Sequence, residues 1–340
     1  MQRVLVTGAG GCIGTTLVPM LLERGYAVRA LDRYFFGCDL PRDEANLEIV
    51  REDCRRIGAD HLDGVQHVID LAAISNDPSG ELFQQATRQI NHEARVRTAK
   101  LATEHGVERY ILPSSCSIYG WQEPGVICTE QSPPNPLTTY AKANLAAEQD
   151  ILPLARNGFC PVVIRQATVY GYSPRMRFDL AINGMTYGAW KTGKLPLLRD
   201  GTQWRPMVHV KDTSGAMCHL LEADPARISG EIFNIGSRDN NYQLRPLAEL
   251  VAAALPMDID IEWYGDPDNR SYQVNFDKIE SLGWKARCTA NDGARGIYEA
   301  LEAGRIDKTP KTITLEWYRN LVDWHKIIHE TEMYGGILDI

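Results

Sequence analysis

The sequence predicts an α/β protein, a doubly wound parallel sheet with a smaller mixed α/β lobe attached. Three observations carry this. Short apolar runs alternate with helix-period segments through the first half of the chain. A glycine-rich turn follows the first run directly, in RVLVTGAGGCIG at residues 3–14. An acidic residue, Asp32, closes the second run eighteen residues after Gly14.

The elements follow in order. Val4, Leu5 and Val6 form a β run, broken by Gly8, Gly10, Gly11 and Gly14, and residues 13–22 continue with helical apolar spacing. Glycines at such a turn let the backbone approach a pyrophosphate, and the helix N-terminus offers free N–H groups to the negative charge. The spacing is Gly8-x-x-Gly11-x-x-Gly14 rather than G-x-G-x-x-G, and glycines at a βα turn also serve purely steric ends. Residues 27–31 make the second strand. Asp32 then accepts from adenosine ribose hydroxyls and repels a 2′-phosphate, which selects NAD over NADP; the adjacent Arg33 blurs that preference. The expected cofactor residues here are Gly8, Gly11, Cys12, Ile13, Asp32 and Arg33.

Runs at 47–50, 67–71, 110–112 and 162–164 supply further strands of a sheet covered on both faces. One helix is expected over 82–105, from Leu82, Ala86, Ile90, Ala94 and Leu101. A second is expected over 139–152, with Pro153 ending it. After Gly171 the chain is richer in Arg, Gly, Pro and Trp, and SPRMRFDL and GTQWRP read as loops around a short helix. IFNIG (232–236) returns to the sheet pattern, and the rest mixes short helices and strands. The expected division is 1–172 with 207–237 for the dinucleotide-binding domain, and 173–206 with 238–340 for the substrate-binding lobe.

Bulk properties narrow the function. The chain has 340 residues, 24% of them charged and 44% hydrophobic, enough for one large domain or two lobes. A net charge of −8 with no basic tract argues against nucleic acid, and no apolar run reaches membrane-spanning length. The N-terminus enters a strand directly, so no signal or transit peptide is expected. Eight scattered cysteines without a C-x-x-C pair fit reduced thiols in a cytoplasm, not a disulfide framework or a metal site.

Several residues can do chemistry. Asp53, with Cys54 behind it, can accept from an adenine amino group, and reads equally as a solvated loop aspartate. Leu71, Ala72 and Ala73 close the fourth strand with small side chains that let a cofactor lie against backbone, or simply pack. LPSSCSIYG (112–120) places Ser114 and Ser115 at a strand end, on the sheet edge where α/β proteins bind ligands. Twenty-five residues after Ser115 comes Tyr140, at a helix start. A tyrosine beside a serine can shuttle a proton to a sugar hydroxyl while hydride moves to NAD; alone, a tyrosine there is as readily a packing aromatic.

Taken together, TGAGGCIG, Asp32, Leu71-Ala72-Ala73, SSCSIYG, PPNPLTTYAK and RQATVYG resemble the extended short-chain dehydrogenase/reductases. Within these the chain is similar to nucleotide-sugar epimerases and dehydratases of the UDP-galactose 4-epimerase type, from residue 1 to about 285. The resemblance implies a Rossmann-type sheet, NAD as cofactor and a nucleoside-diphosphate sugar as substrate. It gives Gly8, Gly11 and Gly14 to the pyrophosphate, Asp32 to ribose, Asp53 to adenine, Ser114 to the cofactor, and Ser115 and Tyr140 to catalysis. It also gives Arg205 and Arg270 to the substrate diphosphate; Thr168 and Asn183 are further expected substrate-facing residues, and the unusual SPRMRFDL run adds Arg175 and Arg177, which can recognise a carboxylate or phosphate. The arginines read otherwise as surface groups paired with Asp266 or Asp268, or as a solvated loop.

One position departs from the pattern. The resemblance implies a lysine four residues after the tyrosine, and here that residue is Asn144. Asn144 can hydrogen-bond a ribose but brings no charge to lower the tyrosine pKa, and Lys142 falls on nearly the opposite helix face. Dehydratases of this kind place an acid between the serine and the following tyrosine; Cys116, Ser117 and Ile118 offer none. Oxidation and re-reduction at one carbon, most simply C4, needs only hydride transfer and one proton shuttle. The expected protein is therefore a NAD-dependent epimerase, with a ketosugar reductase using NAD(P)H, a weakly active ligand-binding homologue and a non-sugar alcohol dehydrogenase as alternatives. A homodimer is implied through the helices at 82–105 and 139–152.

Overall fold

The computed structural model describes residues 1–156, 158–266 and 270–331. Its centre is a seven-stranded sheet in which every neighbouring pair is parallel. The first five strands are β1 (Arg3–Thr7), β2 (Ala27–Asp32), β3 (Leu47–Arg51), β4 (His67–Asp70) and β5 (Arg109–Ser115). From one edge the order is Glu231–Ile235, Cys160–Gln166, β5, β4, β1, β2, β3. The order reverses between β1 and β4, which is the doubly wound Rossmann-type arrangement, and ligands bind outside the carboxyl ends of the strands at such a point.

Alternation along each strand sends neighbouring side chains to opposite faces. Val4 and Val6 join one core with Leu17, Val18 and Leu21 of the helix Gly14–Glu23. Leu5 joins the other with Val68, Tyr110, Leu112 and Ala147. Both faces are dry because helices cover both, which explains why the strands read as nearly continuous apolar runs.

Three further small sheets lie outside the main one. Trp204–His209 pairs parallel with Thr168–Tyr170 and antiparallel with Asn241–Gln243. Lys194–Leu198 pairs parallel with Asp260–Tyr264, and Gln273–Val274 with Ile127–Cys128. A third core, including Met185, Leu195, Met207 and Leu247, packs the helices Ala181–Thr192 and Leu244–Ala253 against these strands.

The helix expected over 82–105 is broken. It consists of Asp77–Leu82, Gln84–Arg88, a π-helical turn Gln89–Ala94, and Arg95–Glu104. Phe83 leaves helical geometry at φ −120°, ψ 53°, and its ring meets Tyr318 of the distant helix Thr314–Thr331 at 6.1 Å. The second expected helix runs Thr139–Ile151 and ends just before Pro153, which sits within a short 3-10 turn, Leu152–Leu154. The loops expected between 172 and 207 include the twelve-residue helix Ala181–Thr192 and the strands Lys194–Leu198 and Trp204–His209. The expected tail of short elements contains the eighteen-residue helix Thr314–Thr331. Among the described residues no helix is long and apolar enough to cross a membrane.

Candidate active site

At the carboxyl ends of β1, β2 and β4 lies a cavity of about 190 Å³. Gly8, Gly11, Cys12, Ile13, Asp32, Arg33, Asp53, Cys54, Leu71, Ala72 and Ala73 all line it. The glycine turn is shaped by its neighbour strand. Gly8 has φ +67°, and a Cβ there would sit 2.7 Å from the Ala72 nitrogen. The Thr7 hydroxyl donates to Asp70 and accepts from the Ala72 N–H at 3.0 Å, which fixes the two strand ends together.

Asp32 is pinned by the N–H groups of Gly10 at 3.0 Å and Tyr34 at 2.7 Å, one on each carboxylate oxygen. Each oxygen keeps lone-pair capacity for a hydroxyl. Burial pushes its pKa up, and the Tyr34 and Gly10 N–H groups oppose that. The segment Ser173–Arg177 docks on the turn itself. Ser173 Oγ donates to the Cys12 carbonyl at 2.7 Å and lies 2.9 Å from Thr15 Oγ1. Arg175 stacks on Phe36 at 3.7 Å and donates to Thr314 Oγ1 at 3.2 Å, while its buried Nε has no hydrogen-bond partner. Burial and the neighbouring Arg177 bring the Arg175 pKa down to about 10. A buried arginine with an unmet donor beside a glycine turn fits an anionic dinucleotide diphosphate. These residues fit NAD.

A second cavity, of about 850 Å³, adjoins the first, and both are lined by Cys12, Ile13, Leu71, Ala73, Ser75 and Arg177. Ser114, Ser115, Tyr140, Thr168, Arg177, Arg205 and Arg270 line it, so residues far apart in sequence share one cleft. Tyr140 opens the helix Thr139–Ile151, whose cap Thr138 accepts from the Ala141 N–H at 3.2 Å and donates to Asp77 at 2.5 Å. The helix Asp77–Leu82 comes close because Gly80 lacks a Cβ, which would lie 3.2 Å from the Tyr140 Cβ. Burial raises the Tyr140 pKa; Arg95 is the strongest charge opposing it, Asp77 raises it, and Ser115 and Arg177 lower it. Arg205 donates to the Trp204 carbonyl at 2.8 Å and to the Arg270 carbonyl, and Arg270 pairs with Asp77. Asp266 is described, whereas Asp268 lies outside the described residues.

Some expected residues are placed differently. Asn144 lines neither cavity and is 1% exposed, with its Oδ1 accepting from Arg95 Nη1 at 2.8 Å and its Nδ2 donating to the Tyr140 carbonyl at 3.0 Å, so burial keeps it away from a ribose. Asn183 is wholly buried, accepting from Gly171 N–H at 2.9 Å and donating to the Arg177 carbonyl at 2.8 Å, and braces the loop instead of facing substrate. The Ser114 hydroxyl is committed to Glu148, which forms a buried pair with Arg165 at 2.7 Å. Arg175 lines the cofactor cavity and not the larger one. Arg177 lines both but is held by Asp179 at 2.8 Å; burial disfavours its charge and Asp179 more than restores it. The Asp53 carboxylate is engaged by Arg55 at 2.7 Å and Arg33 at 3.0 Å, with Arg55 holding its pKa down at about 2.

Sequence reasoning missed Phe35, Phe36, Thr314 and Tyr318, which also line the cofactor cavity, and Asp77 and Arg95 in the larger one. Arg95 left a trace: Asn91, Arg95, Thr98 and Ala102 share the buried side of one helical segment, three polar residues where apolar ones are expected. Thr314 and Tyr318 left none.

Fold and cleft together define an α/β protein of the dinucleotide-binding class, with a tyrosine and a serine in a cleft that adjoins the glycine-turn cavity. The chain belongs to the NAD dependent epimerase/dehydratase family, whose sequence model matches residues 4–236. It is 25% identical to UDP-glucose 4-epimerase 2 of Arabidopsis thaliana, over 87% of this chain and 94% of that one. It is 27% identical to UDP-glucose 4-epimerase of Corynebacterium glutamicum, over 83% and 90%. Among solved structures it is similar to MoeE5 in complex with UDP-glucuronic acid and NAD, with a TM-score of 0.79 at 28% identity, over 89% of this chain and 99% of that one.

Proposed function

We propose that this protein is a NAD-dependent epimerase that inverts C4 of a UDP-sugar, with Tyr140 as the proton shuttle and Ser115 as its hydrogen-bonding partner. The observation that carries the reading is the convergence of Tyr140 and Ser115 on one cleft that opens into the cavity of the glycine turn and Asp32. The relatives act on UDP-glucose by name, and this chain spans most of their length.

When bound, NAD supplies a hydride acceptor that returns the same hydride. The remaining work falls to the chain. Tyr140 removes the C4 hydroxyl proton as hydride leaves C4, and returns it after the ketosugar has turned over. Ser115 donates to the oxygen that passes between hydroxyl and carbonyl. Arg205 and Arg270 hold the diphosphate, so the nucleotide stays fixed while the sugar rotates in a cleft of about 850 Å³. Thr168 meets the sugar, and Arg175, on the cofactor side, meets the cofactor's diphosphate.

The test is proton NMR of UDP-glucose and UDP-galactose with catalytic NAD. Each sugar is expected to convert to the same equilibrium mixture. Tyr140→Phe is expected to lower kcat by about 10²- to 10⁴-fold while UDP-sugar binding persists. Consumption of one NADH or NADPH per turnover overturns the reading in favour of a ketosugar reductase.

The same reading includes a homodimer through the helices at 82–105 and 139–152, where Leu82 is exposed and Leu145 and Ala146 are half-buried. A monomer in sedimentation equilibrium removes it. It also includes a reducing, cytoplasmic setting, supported by eight free cysteines.

A further inference from the structure

Arg95 is the first residue of the helix Arg95–Glu104, immediately after the π-helical turn Gln89–Ala94. Such turns often mark functional positions. Its side chain is 3% exposed, yet it reaches the wall of the larger cavity with Ser115 and Tyr140. Nε donates to the Ala72 carbonyl at 3.1 Å, on the strand end that forms the cofactor cavity. Nη1 donates to Asn144 Oδ1 at 2.8 Å, and Asn144 Nδ2 donates back to the Tyr140 carbonyl at 3.0 Å. Nη2 has no hydrogen-bond partner, and no carboxylate forms a salt bridge with Arg95, among the described residues.

A guanidinium buried without a counter-ion is costly, and such groups are retained where an anion or electron-rich group answers them. Arg95 favours the charged forms of Cys54, Tyr110 and Tyr140, and of these three Tyr140 is the one that lines the larger cavity with it. Asn144 completes the arrangement. Its carbonyl oxygen is the acceptor that a guanidinium needs, whereas a lysine at 144 would set a second cation against the first.

We propose that Arg95, oriented by Asn144 and Ala72, is the cationic positioning residue of this active site, stabilising the Tyr140 phenolate and presenting Nη2 toward the reactive end of the bound dinucleotide. The inference rests on the epimerase reading for its consequence, but its geometry does not depend on the substrate. The other groups facing Tyr140 are Asp77 and Glu81 on the helix Asp77–Leu82, Arg177 paired with Asp179, and Ser115 at the end of β5. Asp77 opposes ionisation and is itself answered by Arg270; Ser115 favours it through a hydrogen bond and Arg95 and Arg177 through their charge, Arg95 more than Arg177, which is tied to Asp179.

The test follows the Tyr140 phenol directly, by NMR of protein labelled with ¹³Cζ-tyrosine, the Tyr140→Phe variant assigning the resonance. No substrate is needed. Arg95→Gln is expected to move the Tyr140 titration upward by about 1 to 3 pH units, and Arg95→Lys by less. The double variant Arg95→Gln/Asn144→Lys, which moves the cation onto the tyrosine's own helix, is expected to recover it. In parallel, the alkaline shift should appear in the pH profile of kcat, and Arg95→Gln should retain at least tenfold less NAD after gel filtration. If Arg95→Gln does not fold, Asn144→Leu, which keeps the charge and removes its tether, is expected to weaken NAD retention and to shift the phenol in the same direction. An unchanged Tyr140 titration in the folded variants overturns the proposal, whatever the wild-type activity. A shifted titration in a protein that lacks epimerase activity leaves it standing and overturns the function instead.

Discussion

Trp317 donates its indole N–H to the carbonyl of Phe35 at 2.7 Å, tying the helix Thr314–Thr331 to the loop after β2. Tyr318, one residue on, packs its ring against Phe36 at 5.5 Å, and Phe36 lies under Arg175. Residues 282 positions apart thus build one wall of the cofactor cavity. Trp317→Phe keeps an aromatic ring, smaller than the indole, and loses a hydrogen bond of about 1 kcal/mol. Bound NAD is expected to leave about fivefold faster, read as the rate of NAD loss after dilution into an NAD-consuming enzyme. An unchanged rate means the helix covers the cavity without helping to hold its contents.

Arg270 is fixed at the wall of the larger cleft. Arg205 supports the Arg270 backbone, and Asp77 engages its guanidinium. Charge-assisted hydrogen bonds contribute about 1.5–3 kcal/mol. Arg270→Ala is therefore expected to raise KM for the UDP-sugar by about tenfold or more, with kcat changed far less. Steady-state kinetics decides, and a fall in kcat alone would place Arg270 in the chemistry.

The buried pair Glu148–Arg165, with side chains 2% and 4% exposed, also takes the Ser114 hydroxyl and the Tyr119 hydroxyl. Removing one partner strands a buried charge, at a cost of about 3–5 kcal/mol. Glu148→Ala should lower the urea midpoint accordingly with an unchanged slope. A shift below about 1 kcal/mol would mean that water reaches Arg165.

His209 makes stability depend on pH. Burial pulls its pKa down to about 4, Asp212 opposing, and its ring lies edge-on to Tyr170 at 5.3 Å. The unfolded chain takes up this proton near pH 6.5, the native state only near 4, so stability is full above about 6.5 and falls as pH drops toward 4. The loss is on the order of 3 kcal/mol. His67, also lowered by burial, acts in the same direction. His209→Asn keeps an acceptor for the Lys211 N–H and should flatten the slope of denaturation free energy between pH 7 and 4.

The strands at 27–31 and 162–164 were legible because burial on both faces leaves little but apolar residues in them, whereas the run at 47–50 is an edge strand with Glu48 and Ile49 exposed. The glycine turn and Asp32 were legible because both are set by local backbone geometry and short spacing. Ser115 and Tyr140 each end or begin an element at the same sheet edge, so order along the chain sufficed to bring them together. The break at Phe83 was not legible, because the helical apolar period continues through it while its cause, Tyr318, lies far away in the sequence.

The sequence by itself determined the sheet and the cofactor turn, since each follows from periodicity or from contacts within one βα unit. Only the tertiary structure decided that Asn144 is a bracket for Arg95, that Arg175 lines the glycine-turn cavity, and that a helix near the C-terminus walls it. The Arg95–Asn144 bond spans 49 residues and the Trp317–Phe35 bond 282. A charge's neighbours across such distances are chosen by packing, and packing leaves no periodic trace in the chain.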